Sequence, residues 1–129
     1  KLQHDFPYAY LASDTFQRAV FFLTAIRTSH NATLVLEEPE AHAFPYYTTS
    51  LAEDIGLDAN KNQYFITTHN PYFLLPLVAK TPREEISVFV TYLQDYQTKL
   101  RQLTPRELSN LDRVDLFWNL KKYAKRSAH

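Results

Sequence analysis

The chain of 129 residues contains no cysteine and no methionine, and Gly56 is its only glycine. The lack of cysteine excludes a disulfide framework and a thiolate metal site, which fits an intracellular protein, and we expect a cytoplasmic one. Because no methionine stands at position 1, Lys1 is not expected to be a native translation start. A glycine-rich loop lets backbone amides close around phosphate groups without a Cβ clash. This sequence contains no such loop.

Excess charge of either sign is also lacking, since Lys and Arg total 14 and Asp and Glu total 14. No global field is therefore available to hold nucleic acid or an anionic membrane. The basic stretch 121–126 is typical of a helix end, where cations offset the macrodipole, so nucleic acid stays an open but unsupported partner. No apolar run approaches the ~20 residues that a membrane span needs, and no membrane partner is expected.

Apolar residues are present in the amount that a globular protein requires. They make up 45% of the chain, which includes nine Phe and nine Tyr. A domain of this size buries roughly two thirds of the surface of its unfolded chain. We therefore expect residues 1–129 to belong to one globular domain.

Helical and strand patterns alternate along the first part of the chain. Capping residues and apolar residues at helical spacing predict helices over 13–29, over 46–60 and from Asn70 onward. Strands are predicted over 32–37 and 63–68, and the first has the unbroken apolar pattern of a central parallel strand covered on both faces. This order predicts an α/β fold, a parallel sheet flanked by helices, with ligands at the carboxyl ends of its strands.

The C-terminal part of the sequence has a different pattern. Two strands, 86–93 and 96–103, are predicted to form an antiparallel hairpin around a tight polar turn at residues 94–95. A capping box over 104–107 predicts another helix start, and residues 113–123 are predicted to be helical. The predicted architecture is therefore a parallel sheet followed by a C-terminal hairpin.

Charged and polar side chains follow both strands of the predicted parallel sheet. Glu37 and Glu38 end the first strand, and they cannot both be buried unpaired because an isolated carboxylate is very costly in an apolar interior. His69 follows the second strand within the segment Thr67-Thr68-His69-Asn70, and an imidazole can donate a hydrogen bond to an anionic oxygen. These residues are the first candidates for a site.

The segments TLVLEEPEAH (residues 33–42) and TTHN (67–70) resemble the Walker B strand, the D-loop and the switch segment of non-transporter ABC-type ATPase heads of the Rad50/OLD-like kind. The resemblance implies a P-loop NTPase half-domain, the C-terminal half of an ABC ATPase-like head. It implies that Glu37 binds Mg²⁺, that Glu38 acts as general base or polarises the attacking water, and that His69 senses the γ-phosphate. Most such motifs carry Asp where Glu37 stands.

Further residues resemble the parts of such heads that contact nucleotide. Ser13-Asp14-Thr15 stands at the position of the LSGGQ signature, with Asp14 and Thr15 replacing its glycines. There a serine hydroxyl and free helix amides would face the γ-phosphate of ATP held by another subunit. Glu40 and His42 belong to the part that resembles the D-loop. The resemblance implies ATP and Mg²⁺ as cofactors and a head-to-tail homodimer that encloses ATP.

The resemblance also implies an N-terminal Walker A half, with its loop and lysine upstream of Lys1 or in another chain. Alone, the present chain is expected to hydrolyse ATP poorly or not at all. Two alternatives remain open. One is a metal-dependent hydrolase that uses Glu37, Glu38, His42 and His69, although no recognised ligand spacing supports it. The other is a catalytically silent dimerisation or regulatory module of the same fold, which the departures at Glu37 and Asp14 motivate.

Overall fold

The structure, a computed structural model, describes residues 14–111, so that Ser13 and the helix predicted over 113–123 lie outside the described residues. The elements in chain order are α1 (Asp14–Thr28), β1 (Thr33–Glu37), α2 (Pro45–Gly56), β2 (Gln63–Thr67), α3 (Pro71–Lys80), β3 (Phe89–Gln94), β4 (Gln97–Gln102) and α4 (Pro105–Leu108). The predicted α/β order is confirmed. No helix among residues 14–111 is long and apolar enough to cross a membrane.

The strands β1 and β2 form a parallel pair. Their register runs from Thr33 opposite Gln63 to Glu37 opposite Thr67, without a bulge. The strands β3 and β4 pair antiparallel in a separate two-stranded sheet. Because β1 and β2 run in the same direction and in full register, they end together at one edge, where the residues that follow them come close in space.

One face of the parallel sheet is covered by helices and carries the main core. Buried side chains of three helices surround Leu36 of β1, namely Phe22 and Ile26 of α1, Leu51, Ala52 and Ile55 of α2, and Phe73 and Leu77 of α3. On the opposite face Val35 is 76% exposed and its register partner Phe65 is 55% exposed. The prediction that both faces are covered is therefore wrong for residues 14–111.

The helix α2 ends at Gly56, four residues before the predicted end at Asn60. The chain turns there because Asp58 accepts a hydrogen bond from the backbone N–H of Asn60 at 3.1 Å, and Lys61 then takes a positive φ of 57°. Gly56 also lies against the end of α3, since a Cβ at this position would stand 2.9 Å from the Cβ of Lys80. A side chain at residue 56 would therefore push the two helix ends apart.

The hairpin turn lies one residue later than predicted, at Asp95 and Tyr96. Both residues have positive φ, 51° and 59°, and Gln94 pairs with Gln97 across them. A two-residue turn with positive φ at both positions has the twist that matches the flanking strands. The strand β3 begins at Phe89, three residues after the predicted start.

A second core attaches the hairpin to α3. Its buried members are Val78, Leu103, Leu108 and Leu111. The predicted capping box of α4 is confirmed, with Thr104 and Glu107 exchanging hydrogen bonds. Arg101 of β4 binds the Glu107 carboxylate with two guanidinium nitrogens, at 3.0 and 3.2 Å. These hydrogen bonds, together with those from Thr104, lower the pKa of Glu107 to about 2. The hairpin is thus fixed by both apolar and ionic contacts.

Candidate functional site

The two glutamates at the end of β1 stand in different backbone conformations. Glu37 is the last strand residue and is exposed. Glu38 has a φ of 40°, which is uncommon for a residue other than glycine, and its N–H still donates to the carbonyl of Thr67 at 3.0 Å. Strained backbone of this kind is typical of functional sites. The chain has left the strand at Glu38, so the two side chains can serve different purposes.

Glu38 and His69 are in direct contact. The Oε1 atom of Glu38 lies 2.9 Å from Nδ1 of His69, and the side chains are 45% and 76% exposed. The contact joins the loop after β1 to the loop after β2, which follows from the common edge of the two strands. Solvent or a ligand can therefore reach a carboxylate and an imidazole that already touch.

The contact restricts the chemistry of the His69 ring. A neutral imidazole that donates from Nδ1 to a carboxylate keeps Nε2 as an acceptor only. Donation from both nitrogens needs a protonated ring. His69 can thus present either an acceptor or, when protonated, a donor with a positive charge to a ligand beside Glu38.

The helix α1 holds the loop that carries Glu38. Arg18 donates from Nη2 to the carbonyl of Glu38 at 3.0 Å, and its guanidinium lies 5.4 Å from the ring centre of Phe22. Thr15 donates from its hydroxyl to the carbonyl of His42 at 3.0 Å. Sequence reasoning missed Arg18, although its spacing of three residues from Thr15 places both on one side of the helix. Two side chains of α1 therefore hold this loop by hydrogen bonds to its first and last residues, Glu38 and His42.

Glu40 occupies an interior position. It is 4% exposed, and its Oε1 accepts a hydrogen bond from the hydroxyl of Thr68. Its Oε2 is buried without a hydrogen-bond partner among the described residues. The hydroxyl of Thr68 also accepts from the N–H of Asn70 at 3.0 Å. The structure thus gives Glu40 a buried neighbour on the other loop, although the sequence motif suggested a nucleotide contact.

The remaining predicted residues lie around the same edge of the sheet. Asp14 begins α1 and is exposed, while Thr15 contacts the loop at His42. His42 is exposed and has a φ of 59°. The structure therefore brings the start of α1 beside the loop that contains Glu38 and His42. Nucleotide binding by Asp14, Thr15 and His42 stays a prediction.

The described residues do not form a metal centre on their own. Among residues 14–111 no group of three or more His, Asp or Glu side chains could hold a metal ion. This arrangement gives no support to a hydrolase in which Glu37, Glu38, His42 and His69 are the ligands. Mg²⁺ is commonly held by one or two carboxylates together with water and substrate phosphates. The exposed carboxylate of Glu37 fits that kind of shared binding.

The fold, a parallel strand pair with helices and a separate antiparallel hairpin, is that of a P-loop NTPase-like domain. One solved structure, described as "Structural biochemistry of ATP-driven dimerization and DNA stimulated activation of SMC ATPases", matches with a TM-score of 0.56 at 11% identity. The match covers 81% of this chain and 62% of that chain. At this identity the likeness shows the fold, and the present chain spans less than two thirds of that solved chain.

The family follows from the sequence. The family model described as "AAA domain, putative AbiEii toxin, Type IV TA system" matches residues 2–75, which is more than half of the chain. The chain therefore belongs to this family of AAA-type ATPase domains. The matched span includes each residue discussed above, from Ser13 to Asn70. A search of curated proteins gives no match.

Proposed function

We propose that this chain supplies part of the ATP-hydrolysing site of an ABC-type ATPase head of the Rad50/OLD-like kind. In this proposal Glu38 accepts a proton from the attacking water, His69 contacts the γ-phosphate, and Glu37 binds Mg²⁺. The observation that carries the proposal is the 2.9 Å contact between Glu38 and His69 at the common edge of two parallel strands. Membership of the ATPase family supports it.

The proposed chemistry divides between the atoms of the Glu38–His69 pair. Oε1 of Glu38 contacts His69, so the other carboxylate oxygen can accept the proton of a water. If Nδ1 of His69 donates to Glu38, Nε2 can donate to a phosphate oxygen only when the ring is protonated. The protonated ring would then add positive charge beside the phosphate, which stabilises the charge of the transition state.

The proposed role of Glu37 is to hold Mg²⁺ together with the phosphates of ATP. When bound, Mg²⁺ would neutralise negative charge that develops on those phosphates. Glu37 is exposed at the end of β1, as a ligand shared with a substrate must be. Its side chain is one methylene longer than the Asp of most such motifs, and it can reach the ion through a water.

A phosphate-binding loop must come from outside this sequence, either from an N-terminal Walker A half of the same protein or from another chain. Two observations support this part of the proposal. The sheet face with Val35 and Phe65 is exposed within residues 14–111, as expected if further elements cover it. The chain also spans 62% of the solved chain that it resembles. We therefore assign residues 1–129 to the C-terminal part of a head.

Closure of the site is proposed to need a second head in a head-to-tail homodimer that encloses ATP. The start of α1 carries the positive end of its helix dipole beside the loop that contains Glu38 and His42, and this position suits the phosphate of ATP on another subunit. The solved structure that matches this chain is described as showing ATP-driven dimerization. Its description also mentions DNA stimulation, which the zero net charge of this chain does not support. The cytoplasmic location stays a prediction.

The test measures ATP hydrolysis by the complete protein, with its phosphate-binding loop, before and after Glu38→Gln. We expect hydrolysis to fall by about 10²- to 10⁴-fold, the usual contribution of a general base, while ATP binding persists. Glu85→Gln is the matched control because Glu85 is exposed and lies in the segment between α3 and β3. Unchanged hydrolysis after Glu38→Gln would exclude the proposed role of this carboxylate.

The silent dimerisation module remains the second candidate. Asp14 and Thr15 in place of two glycines favour it, because their side chains hinder close approach of a phosphate to the helix amides. This candidate predicts that the complete protein binds ATP and dimerises without hydrolysis. A turnover above that of the Glu38→Gln variant would decide against it.

A further inference from the structure

We propose that Glu40 and Thr68 form a positioning pair that holds His69 against Glu38. Neither residue is exposed at the proposed site, and the pair would act by fixing the two loops that carry the reacting side chains. The effect on hydrolysis rests on the proposed ATPase function. The effect on the geometry of His69 does not depend on it.

Hydrogen bonds fix the loop of His69 on both sides of this residue. The hydroxyl of Thr68 has one proton, which it donates to Glu40, and it accepts the N–H of Asn70 at 3.0 Å. Asn70 in turn caps α3 by accepting from the N–H of Tyr72 at 2.9 Å. His69 thus lies between two residues whose positions are set by hydrogen bonds, one of which reaches across to the loop after β1.

The loop of Glu38 carries the other member of the pair, Glu40. Glu40 follows Glu38 by two residues, and Pro39 between them is fully buried with a φ that its ring restricts. Burial of a carboxylate costs free energy unless hydrogen bonds compensate, and Oε2 of Glu40 has no partner among the described residues. If Glu40 served packing alone, burial of its carboxylate would lower the stability of the fold without compensation.

The buried and the exposed contacts join the same two loops. Thr68 donates to the buried Glu40 in a partly buried hydrogen bond, while Glu38 contacts His69 where the side chains are 45% and 76% exposed. An exposed pair of side chains gains little against the entropy of ordering them. The contact with His69 therefore needs a fixed support, and the hydrogen bond between Glu40 and Thr68 provides it.

The direct test is the tautomer of His69 in the full 129-residue chain, read from ¹⁵N signals assigned with a His69→Gln variant. At about pH 9, where an imidazole is neutral, we expect Nδ1 of His69 to carry the proton because it donates to Glu38. Thr68→Val should shift the proton toward Nε2, and Thr68→Ser should retain it. Thr91→Val is the matched control at an exposed position of β3. An unchanged tautomer in Thr68→Val would overturn the proposal.

A second readout separates this proposal from the proposed function. In the complete protein, Thr68→Val should lower kcat on the order of 10- to 100-fold with KM for ATP changed less than about twofold, and Thr68→Ser should restore it. Loss of hydrolysis in Glu38→Gln with no effect of Thr68→Val would refute the positioning pair and leave the ATPase. A tautomer shift in Thr68→Val with full hydrolysis in Glu38→Gln would support the positioning pair and refute the proposed role of Glu38 in hydrolysis.

A measurement on the unmodified chain covers the case in which Thr68→Val does not fold. The hydroxyl proton of Thr68 should exchange with water slowly enough to be seen by NMR, because a buried carboxylate accepts it. The exposed hydroxyl of Thr91 provides the reference for fast exchange. Equal exchange rates for Thr68 and Thr91 would overturn the proposal.

Discussion

The ion pair between Arg101 and Glu107 allows a quantitative prediction about stability. Both side chains are nearly buried, at 15% and 13% exposure, and Glu107 also accepts from the backbone and hydroxyl of Thr104 at 2.9 and 3.0 Å. The perturbation is Glu107→Gln, which keeps the size and removes the charge. It leaves the guanidinium of Arg101 without its counter-charge, while the amide oxygen of Gln can still accept a hydrogen bond from it.

The size of the effect follows from the pKa of Glu107. Hydrogen bonds from Arg101 outweigh the effect of burial and lower this pKa from 4.5 to about 2. A shift of this size corresponds to at most about 3 kcal/mol. Solvent screening of a pair near the surface reduces the figure to about 1 to 2 kcal/mol. Because the folded pKa is depressed, this stability is present above pH 4.5 and is lost as the pH falls toward 2.

The assay is urea unfolding followed by circular dichroism, with Glu107→Gln compared with the unmodified chain between pH 7 and pH 2. We expect a difference in unfolding free energy of about 1 to 2 kcal/mol above pH 5 that shrinks toward zero as the pH approaches 2. Glu85→Gln serves as the exposed control. A difference that does not change with pH would refute the assignment of this stability to the charge of Glu107.

Two further predictions concern helix contacts. Gly56→Ala should destabilise the chain by about 1 to 3 kcal/mol in the same urea assay, because the new Cβ would stand 2.9 Å from the Cβ of Lys80. This loss should exceed the gain from the higher helix propensity of alanine. A variant more stable than the unmodified chain would contradict this prediction. Burial raises the pKa of Tyr47 to about 12, and the charge of Arg18 opposes this rise. Arg18→Met should therefore raise the pKa of Tyr47 further, as measured by NMR titration. The same variant removes the hydrogen bond to the Glu38 carbonyl, and it should lower the kcat of the complete protein about tenfold. An unchanged Tyr47 titration would show that Arg18 does not act there.

Local patterns in the sequence predict the elements well where one short segment decides the structure. The start of α3 at Asn70-Pro71 and the capping box of α4 each depend on side chains that bond to their own backbone neighbours, and both are confirmed. The first of the two parallel strands is recognisable as an apolar run. The sequence places candidate site residues at the carboxyl ends of both strands, and in the structure Glu38 and His69 are in contact there.

Patterns that depend on distant parts of the chain could not be predicted in this way. The exposed face at Val35 was missed because an apolar run indicates burial without showing what covers each face. The hairpin turn was placed one residue early because Tyr96 is an unusual residue for a positive φ. The hydrogen bond between Glu40 and Thr68 joins residues 28 positions apart, and no local signal reports it.

The sheet face that carries Val35 and Phe65, which is exposed within residues 14–111, has a consequence for the stability of this protein in a cell. Parallel strands are normally covered on both faces, and an exposed apolar face beside strand edges invites association. Val35 and Phe65 are exposed within residues 14–111, and exposed apolar strand residues can be recognised by chaperones and proteases. If the proposed N-terminal half covers this face, the abundance of the chain would follow the supply of that half.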